Sequence, residues 1–599
     1  MPAQTPRNGS FSEALGSIVS PRLTPALSSA LERVLLLDRL YDVYEKARSR
    51  GDERNIFDHL LDLLKVRPLV SRRDIERIPK EGPVVAVANH PFGLLEGPIL
   101  GSLLAGVRPD HKFMVNSLMA AMPEISRHCI LVNPFGGPAA LTANLRGLRE
   151  SIIWVKRGGM LSVFPAGEVA HVDVKARAVT DPPWSESIAR VIRLAGASVV
   201  PLYFDGMNSA LFQLLGMLHP NLRTAMLPYE FLNKQDATIE VRIGNAIPAR
   251  KIADFGNDRE LIEYLRQRTY LLKDRKETRS VRVRVKQEEI IAAASTSELE
   301  RELDVLDSSH TLLEQGEFQV ILARSREIPA IMREIGRLRE ITFRQNGEGT
   351  GKAIDLDTFD AHYLQLFVWN REKREVVGAY RLGASDEILV RYGKRGLYTH
   401  TVFSYRRAFL ERIGPALEMG RSFVRREYQR NYAPLLLLWK GIGQYVARNP
   451  RYRVLFGPVS ISNEYAPTSR RLMVEFLKAY CHSDDLSRLV RARTPFRLRP
   501  LLRTAASMGA AAREWDIDDL STLIADIETD EKGVPILLKQ YLKLGGKLVS
   551  FNVDSRFADA LDGLIVVDLT RTDSRLLERY MGKEGVKVFR DFHSQRAAG

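Results

Sequence analysis

The sequence predicts an α/β protein made of two α/β domains behind a short helical segment. Two stretches carry this reading. From about residue 80 to 250, and again from Phe318 onward, short runs rich in valine and isoleucine alternate with helical stretches. Length is the third observation: 599 residues exceed what one hydrophobic core can organise and imply about two to four domains. The boundaries expected are 1–75 for an arm and helical segment, 76–255 and 313–590 for the two α/β domains, and 256–312 for linker helices.

Residues 1–27, rich in Ser and Pro, read as a poorly ordered arm. From Leu31 to Val66 the apolar spacing is helical, with a break at Gly51. The first α/β region then offers strands at Val84–Ala88, Phe113–Val115, Ile130–Val132, Met160–Phe164, Ser198–Phe204 and Thr238–Ile243. Helices are expected at Pro138–Arg157 and Ser185–Ala195. Pro201 inside a strand argues for an edge position or a ligand-facing break, because proline cannot donate to a ladder.

The strand Val84–Ala88 ends at Asn89-His90-Pro91, where proline forces a loop. A carboxylate, Glu96, follows His90 by six residues. Loops at strand ends commonly mount active-site groups, and a histidine held by a carboxylate makes a general base near neutral pH. Three more strand ends stand out: Val132-Asn133-Pro134, Phe164-Pro165-Ala166-Gly167-Glu168, and Val200-Pro201. Glu168 is a second carboxylate able to support His90.

Lys plus Arg number 88 against 73 Asp plus Glu, a net charge of +15 with a pI near 9.6. That favours an acidic partner, either an anionic membrane surface or an acidic carrier protein. No zinc-finger spacing or aromatic-basic RNA signature appears, so nucleic acid is not expected. Two cysteines, Cys129 and Cys481, fit a reducing cytosol. The His and Cys content offers no ligand cluster, so no metal is expected. No secretory signal and no apolar run of the ~20 residues that span a bilayer is present. Membrane contact is therefore expected to be peripheral, at the inner face of a cytoplasmic membrane.

Taken in order, the four strand-end blocks resemble the glycerolipid (lysophospholipid) acyltransferase family over residues 80–250. In that family the resemblance implies a His base, here His90, that deprotonates an acceptor hydroxyl for attack on an acyl thioester. Glu96 follows one residue later than the family's acid. Asn89, Asn133, Phe164, Pro165, Gly167 and Glu168 take the substrate-binding positions. The second block lacks its arginine and the third has Ala166 where the family has glutamate. Both help hold an acceptor phosphate in the family, so an acceptor without glycerol phosphate is expected. Lys156, Arg157, Lys175 and Arg177 form either a cationic rim or a solvated face.

Beyond a charged junction, with basic Arg266 to Lys286 and acidic Glu298 to Asp307, the second region opens with a strand at Phe318–Ala323 and a helix at Ile328–Glu340. It continues through Glu375–Leu382, Ala416–Val424 and Phe456–Ser462. Here the chain resembles the N-acyltransferase branch of the acetyltransferase-like (GNAT) fold, shared by acyl-homoserine-lactone synthases and ornithine-lipid enzymes. Arg339, Phe343, Asp357, Asp360, His362, Arg381, Glu418 and Arg421 carry that resemblance. An attacking amine must lose a proton, for which Glu418 or Asp360 is a candidate base. An amino acid's carboxylate needs a cation, for which Arg339, Arg381 or Arg421 would serve. Mutual pairing that holds the sheet is the alternative for each of these charges, with Asp357 among them. His362, beside Tyr363 in an apolar run, reads as structural.

Together the two resemblances imply a bifunctional acyltransferase of ornithine-lipid type. The second domain would N-acylate ornithine with a 3-hydroxyacyl group from acyl carrier protein, with no further cofactor. The first would O-acylate the lyso-lipid. The alternative is a glycerophospholipid acyltransferase with a regulatory GNAT-like half.

Overall fold

The computed structural model describes residues 37–50, 54–116, 122–132, 138–174, 177–275, 287–430, 433–497 and 516–598. The expected arm at 1–27 and the break at Gly51 lie outside them. Two compact units emerge, one of Met1–Glu277 with Pro500–Glu531, the other of Thr278–Arg499 with Lys532–Gly599.

The first unit is built on a seven-stranded sheet. Its strands are β1 (Arg67–Leu69), β2 (Val84–Ala88), β3 (His111–Asn116), β4 (Cys129–Val132), β5 (Met160–Val163), β8 (Ser198–Phe204) and β9 (Thr238–Ile243), in the order β1-β9-β8-β2-β5-β3-β4. A separate hairpin pairs β6 (His171–Asp173) with β7 (Ala178–Thr180). All neighbouring pairs in the sheet are parallel except β8 with β9. Val84–Ala88 is buried at every position and lies between β5 and β8. That explains its unbroken apolar run, because a strand covered on both faces cannot alternate.

Three expectations change here. Pro201 is not on an edge, since β8 lies between β9 and β2. Its missing N–H is tolerated because ladder pairing with β9 begins only at Leu202. The helix Asp258–Leu271, expected in a linker, buries Leu261, Ile262, Tyr264, Leu265, Arg268 and Thr269 within the first unit. The helix Ile517–Ile527 also belongs to this unit, although 240 or more residues separate it from the rest in sequence. Its Asp526 is fully buried and pairs with Arg268. Asp526 Oδ1 accepts from Asn245 N at 2.7 Å, and its carbonyl accepts from Arg275 Nε at 2.5 Å. Of the basic junction, residues 276–286 lie outside the described residues. Arg266, Arg268 and Arg275 are bonded into the first unit, not solvated.

The second unit carries an eight-stranded sheet in the order β10-β11-β12-β13-β15-β16-β19-β18. The strands are β10 (Thr311–Gln315), β11 (Phe318–Arg324), β12 (Leu364–Asn370), β13 (Glu375–Ala384), β15 (Ala416–Val424), β16 (Val454–Ile461), β18 (Lys547–Asp554) and β19 (Ala560–Asp568). A small side ladder joins β14 (Phe403–Tyr405) and β17 (Val490–Ala492). The sheet is antiparallel apart from β15 and β16, which run parallel and pair only over Ala416–Glu418 with Val454–Phe456. Beyond that point they part. On its other side β15 bulges: Arg381 faces Gly420 and Ala379 faces Phe423, so two residues stand against one. Arg421 occupies the bulge with φ 51°, a left-handed conformation that a side chain adopts only when its surroundings hold it there. The acidic stretch expected at Glu298–Asp307 forms the helix Thr296–Val305, started by a capping box of Ser295 and Glu298.

Candidate functional site

In the first unit the strand end is held before the histidine is presented. The Asn89 side chain donates to Phe204 O at 2.9 Å and accepts from Phe204 N at 2.7 Å, tying the end of β2 to the end of β8. His90 follows. Its backbone N–H donates to Asp181 Oδ1 at 3.1 Å, and its carbonyl accepts from Ala170 N at 2.8 Å. The ring stacks on Phe164 with centroids 4.4 Å apart and planes 21° from parallel.

Glu96 sits 3.2 Å from His90 Nδ1 through Oε1 and is wholly buried. The same oxygen accepts from Phe92 N at 2.7 Å and Gly93 N at 3.1 Å. The loop closes because Gly93 adopts φ 95° with Leu227 and Val169 pressed against its α-carbon, where a side chain would clash. The extra residue between His90 and Glu96 is thus absorbed in a tight turn, and the carboxylate still reaches the ring. Burial opposes charge on both groups, yet each one's attraction for the other wins. The imidazole pKa is raised and the Glu96 carboxyl's is lowered. With Nδ1 facing Glu96, Nε2 has no hydrogen-bond partner among the described residues and is the nitrogen free to take a proton.

Glu168 does not share this role. It pairs with Arg223 at 2.5 Å and its side chain is 59% exposed. Gly167 adopts φ 66° in the same turn, with its N–H donating to Phe164 O at 3.0 Å. Pro165 O accepts from Ser185 N at 2.9 Å. Asn133 and Lys175 lie outside the described residues, while Lys156, Arg157 and Arg177 are exposed. Asp181 was not singled out from the sequence. It stands 91 residues from His90, and nothing local to either position signals the contact. Trp184 Nε1 donates to it at 2.9 Å, and its own N–H donates to Tyr270 in the helix once expected to be a linker.

In the second unit five of the expected residues form one network. Arg339 donates to Asp360 at 3.0 Å and to Gln365 at 2.9 Å. Arg381 donates to Asp357 at 2.6 Å and to Asp360 at 3.2 Å. Its guanidinium is also packed among the rings of Phe359, Tyr363 and Tyr398, at 5.9, 5.2 and 5.1 Å from their centroids. Arg339 is 0% and Arg381 1% exposed, so a substrate carboxylate has no open approach to either. Their two charges hold the Asp360 carboxyl well below its usual range despite burial. The structure therefore favours mutual pairing over the clamp expected of Arg339 and Arg381, and it leaves Asp360 acidic and enclosed, unsuited as a base.

Arg421 and Asp357 are the members of the network that keep partial exposure, their side chains 9% and 23% exposed. Arg421 Nε lies 3.1 Å from Asp355, its Nη2 donates to Asp357 at 3.3 Å, and its plane covers Phe557 at 4.3 Å. Glu418 is buried. It accepts from the Tyr363 hydroxyl and from the N–H groups of Thr399, at 2.5 Å, and Tyr398, at 3.2 Å. This carboxylate organises the Leu397–Thr399 turn, and in this geometry it has no face toward a substrate. His362 Nε2 lies 3.0 Å from Gly396 O, a backbone role. Among the described residues no group of His, Cys, Asp or Glu is arranged to hold a metal ion. No helix among them is long and apolar enough to cross a membrane.

Comparison with known proteins agrees with this division. The family described as Acyltransferase matches residues 66–278, and the Acetyltransferase (GNAT) domain matches residues 338–440. A glycine N(alpha)-acyltransferase of Phocaeicola vulgatus is 35% identical over 307 residues, covering 48% of this chain and 92% of that protein. An L-ornithine N(alpha)-acyltransferase of Brucella abortus is 28% identical, covering 44% of this chain and 89% of that protein. A lyso-glycine lipid O-acyltransferase of Bacteroides thetaiotaomicron is 26% identical, covering 34% of this chain and 75% of that protein.

Proposed function

This chain belongs to the N(alpha)-acyltransferase family and joins to it a second acyltransferase domain; we propose that it makes a diacylated amino-acid lipid in two steps. The GNAT-type unit transfers a 3-hydroxyacyl group from acyl carrier protein to the α-amine of an amino acid, ornithine being the sequence-based expectation and glycine the acceptor named for the 35% identical relative. The His90 unit then transfers a second acyl group to the 3-hydroxyl.

One observation carries the second step: a stacked, carboxylate-held imidazole whose Nε2 is free. Nε2 takes the proton of the hydroxyl, whose oxygen attacks the thioester carbonyl. The C–S bond then breaks, and the imidazolium returns the proton to the departing thiolate. Arg223, the cation beside the third block, is already paired with Glu168, in keeping with an acceptor that brings no phosphate. Acyl carrier protein as donor rests on the net charge of +15, which suits an acidic partner. Peripheral contact with an anionic cytoplasmic membrane rests on the same charge and on an exposed apolar helix discussed below.

Cells expressing the full chain with His90→Ala should accumulate the mono-acylated amino acid and lose the diacyl product in lipid mass spectrometry. Undiminished diacyl lipid would overturn the assignment of His90.

A further inference from the structure

With Glu418 turned toward backbone amides, the N-acylating reaction still needs a group to receive the amine's proton. One face of the second unit's sheet supplies candidates. Ser460 in β16 stands opposite Asp562 in β19, which stands opposite Asn552 in β18. Directly opposed residues project to the same face. Ser460 Oγ donates to Glu348 Oε2 at 2.9 Å. Glu348 sits on the loop after the helix Pro329–Gln345 and keeps partial exposure.

Asp562 is only 6% exposed, yet among the described residues its carboxylate makes no hydrogen bond and no ion pair. Native proteins seldom bury a polar group without a partner, because the desolvation is uncompensated. Asp554, at the end of β18 and 3% exposed, likewise leaves Oδ2 unbonded. Asn552 Oδ1 accepts from Thr494 N at 2.7 Å, and among the described residues its Nδ2 makes no hydrogen bond to Asp562. The charges acting on Asp562 are Asp554 and Glu348, opposed by Arg421 and Arg556. Burial, with the Glu464 charge, pushes Glu348 up to about 7. Burial, with its two acidic neighbours, puts Asp562 well above the carboxylate range. A cation placed on this face would offset both effects. Among the described residues no three side chains here are grouped as a metal ion requires, and Arg421, which covers the Phe557 ring, acts on Asp562 from β15 beyond the point where β15 and β16 part.

We propose that this face receives the α-ammonium of the amino acid, Asp562 holding it and Glu348 accepting the proton that frees the nitrogen for attack. The reading rests on the N-acyl transfer proposed above. The nitrogen lone pair forms the N–C bond at the thioester carbonyl and the C–S bond breaks. Of the two protons the nitrogen sheds, one goes to Glu348 and the other to the leaving thiolate.

The test uses the full chain with an acyl-acyl carrier protein donor and either glycine or ornithine. Glu348→Gln should lower kcat for both amino acids about 100-fold or more and abolish the acidic limb of the pH profile near pH 7. Asp562→Asn should raise KM for both amino acids about tenfold, a loss of ~1.4 kcal/mol in binding. A carboxylate whose folded pKa is raised destabilises the fold as pH climbs above its ordinary value. Asp562→Asn should therefore leave Tm unchanged or higher, increasingly so toward alkaline pH, whereas a structural role would lower it. Unchanged kcat and pH profile in Glu348→Gln would overturn the proposal. So would an Asp562→Asn effect confined to ornithine, which would mean that the face reads the side chain. Wild-type protein that acylates neither amino acid would overturn the N-acylation reading itself.

Discussion

At the scale of residues, the O-acylation proposed for the first unit turns on one carboxylate oxygen. Glu96 Oε1 takes two backbone N–H groups and faces Nδ1, so the turn and the imidazole are fixed by a single atom. Replacing it by the amide in Glu96→Gln removes the charge that holds the imidazolium. Since Glu96 raises the His90 pKa, the acidic limb of the O-acylation profile should move to lower pH, because the neutral base then persists further into acid. The rate at the plateau should fall by about 10²–10⁴, as when an orienting acid is lost. Steady-state rates between pH 5 and 9 check this, and an unmoved limb would show that Glu96 does not act through His90.

At the scale of elements, the helix Ala210–Leu218 is unusual for what it leaves outside. Leu211, Leu214, Met217 and Leu218 are exposed at 49, 53, 57 and 71%, with Met207 at 57% just before them. The opposite face buries Phe212 against Val169 and Met226, beside the loop that carries His90. From Gly206 to Tyr229 the chain carries no Asp or Glu, so nothing on it repels an anionic surface. Apolar side chains on one face of a helix beside the site proposed to acylate a lipid suit insertion into the headgroup layer. Leu211→Glu with Met217→Glu should reduce co-sedimentation with phosphatidylglycerol vesicles severalfold and leave Tm nearly unchanged. Full binding by the double variant would remove this helix from the membrane contact.

At the scale of the molecule, the two halves of the sequence are not the two units of the fold. Helix Ile517–Ile527 belongs to the first unit, and its Asp526 faces the buried Arg268. Removing one partner of a buried pair strands the other and costs about 3–5 kcal/mol. Asp526→Ala should therefore lower the stability of the first unit by roughly that amount. A chain cut after Glu277 should lose its cooperative thermal transition and its O-acylation together. A stable, active 1–277 fragment would show that the returning helix is dispensable.

The sequence by itself determined much that depends on near neighbours along the chain. Strands such as Val84–Ala88 and Ser198–Phe204 came out with their observed ends, because burial on both faces leaves an unbroken apolar run. The pairing of His90 with Glu96 was also legible, since six residues and one glycine turn separate them. What the sequence left open was decided by contacts it does not order. Glu96 was the expected partner of His90, with Glu168 a second carboxylate able to share the role, until Glu168 met Arg223 and Glu96 the imidazole. Glu418 was the expected base, with Asp360 a further candidate, until folding turned the first to backbone amides and gave the second two arginines. Glu348, Ser460 and Asp562 carry no motif, and only sheet register sets them side by side. Hydrophobic pattern and turn chemistry are properties of neighbouring residues. Which buried charge finds a partner, and which is left waiting for a substrate, is settled only when distant strands are brought together.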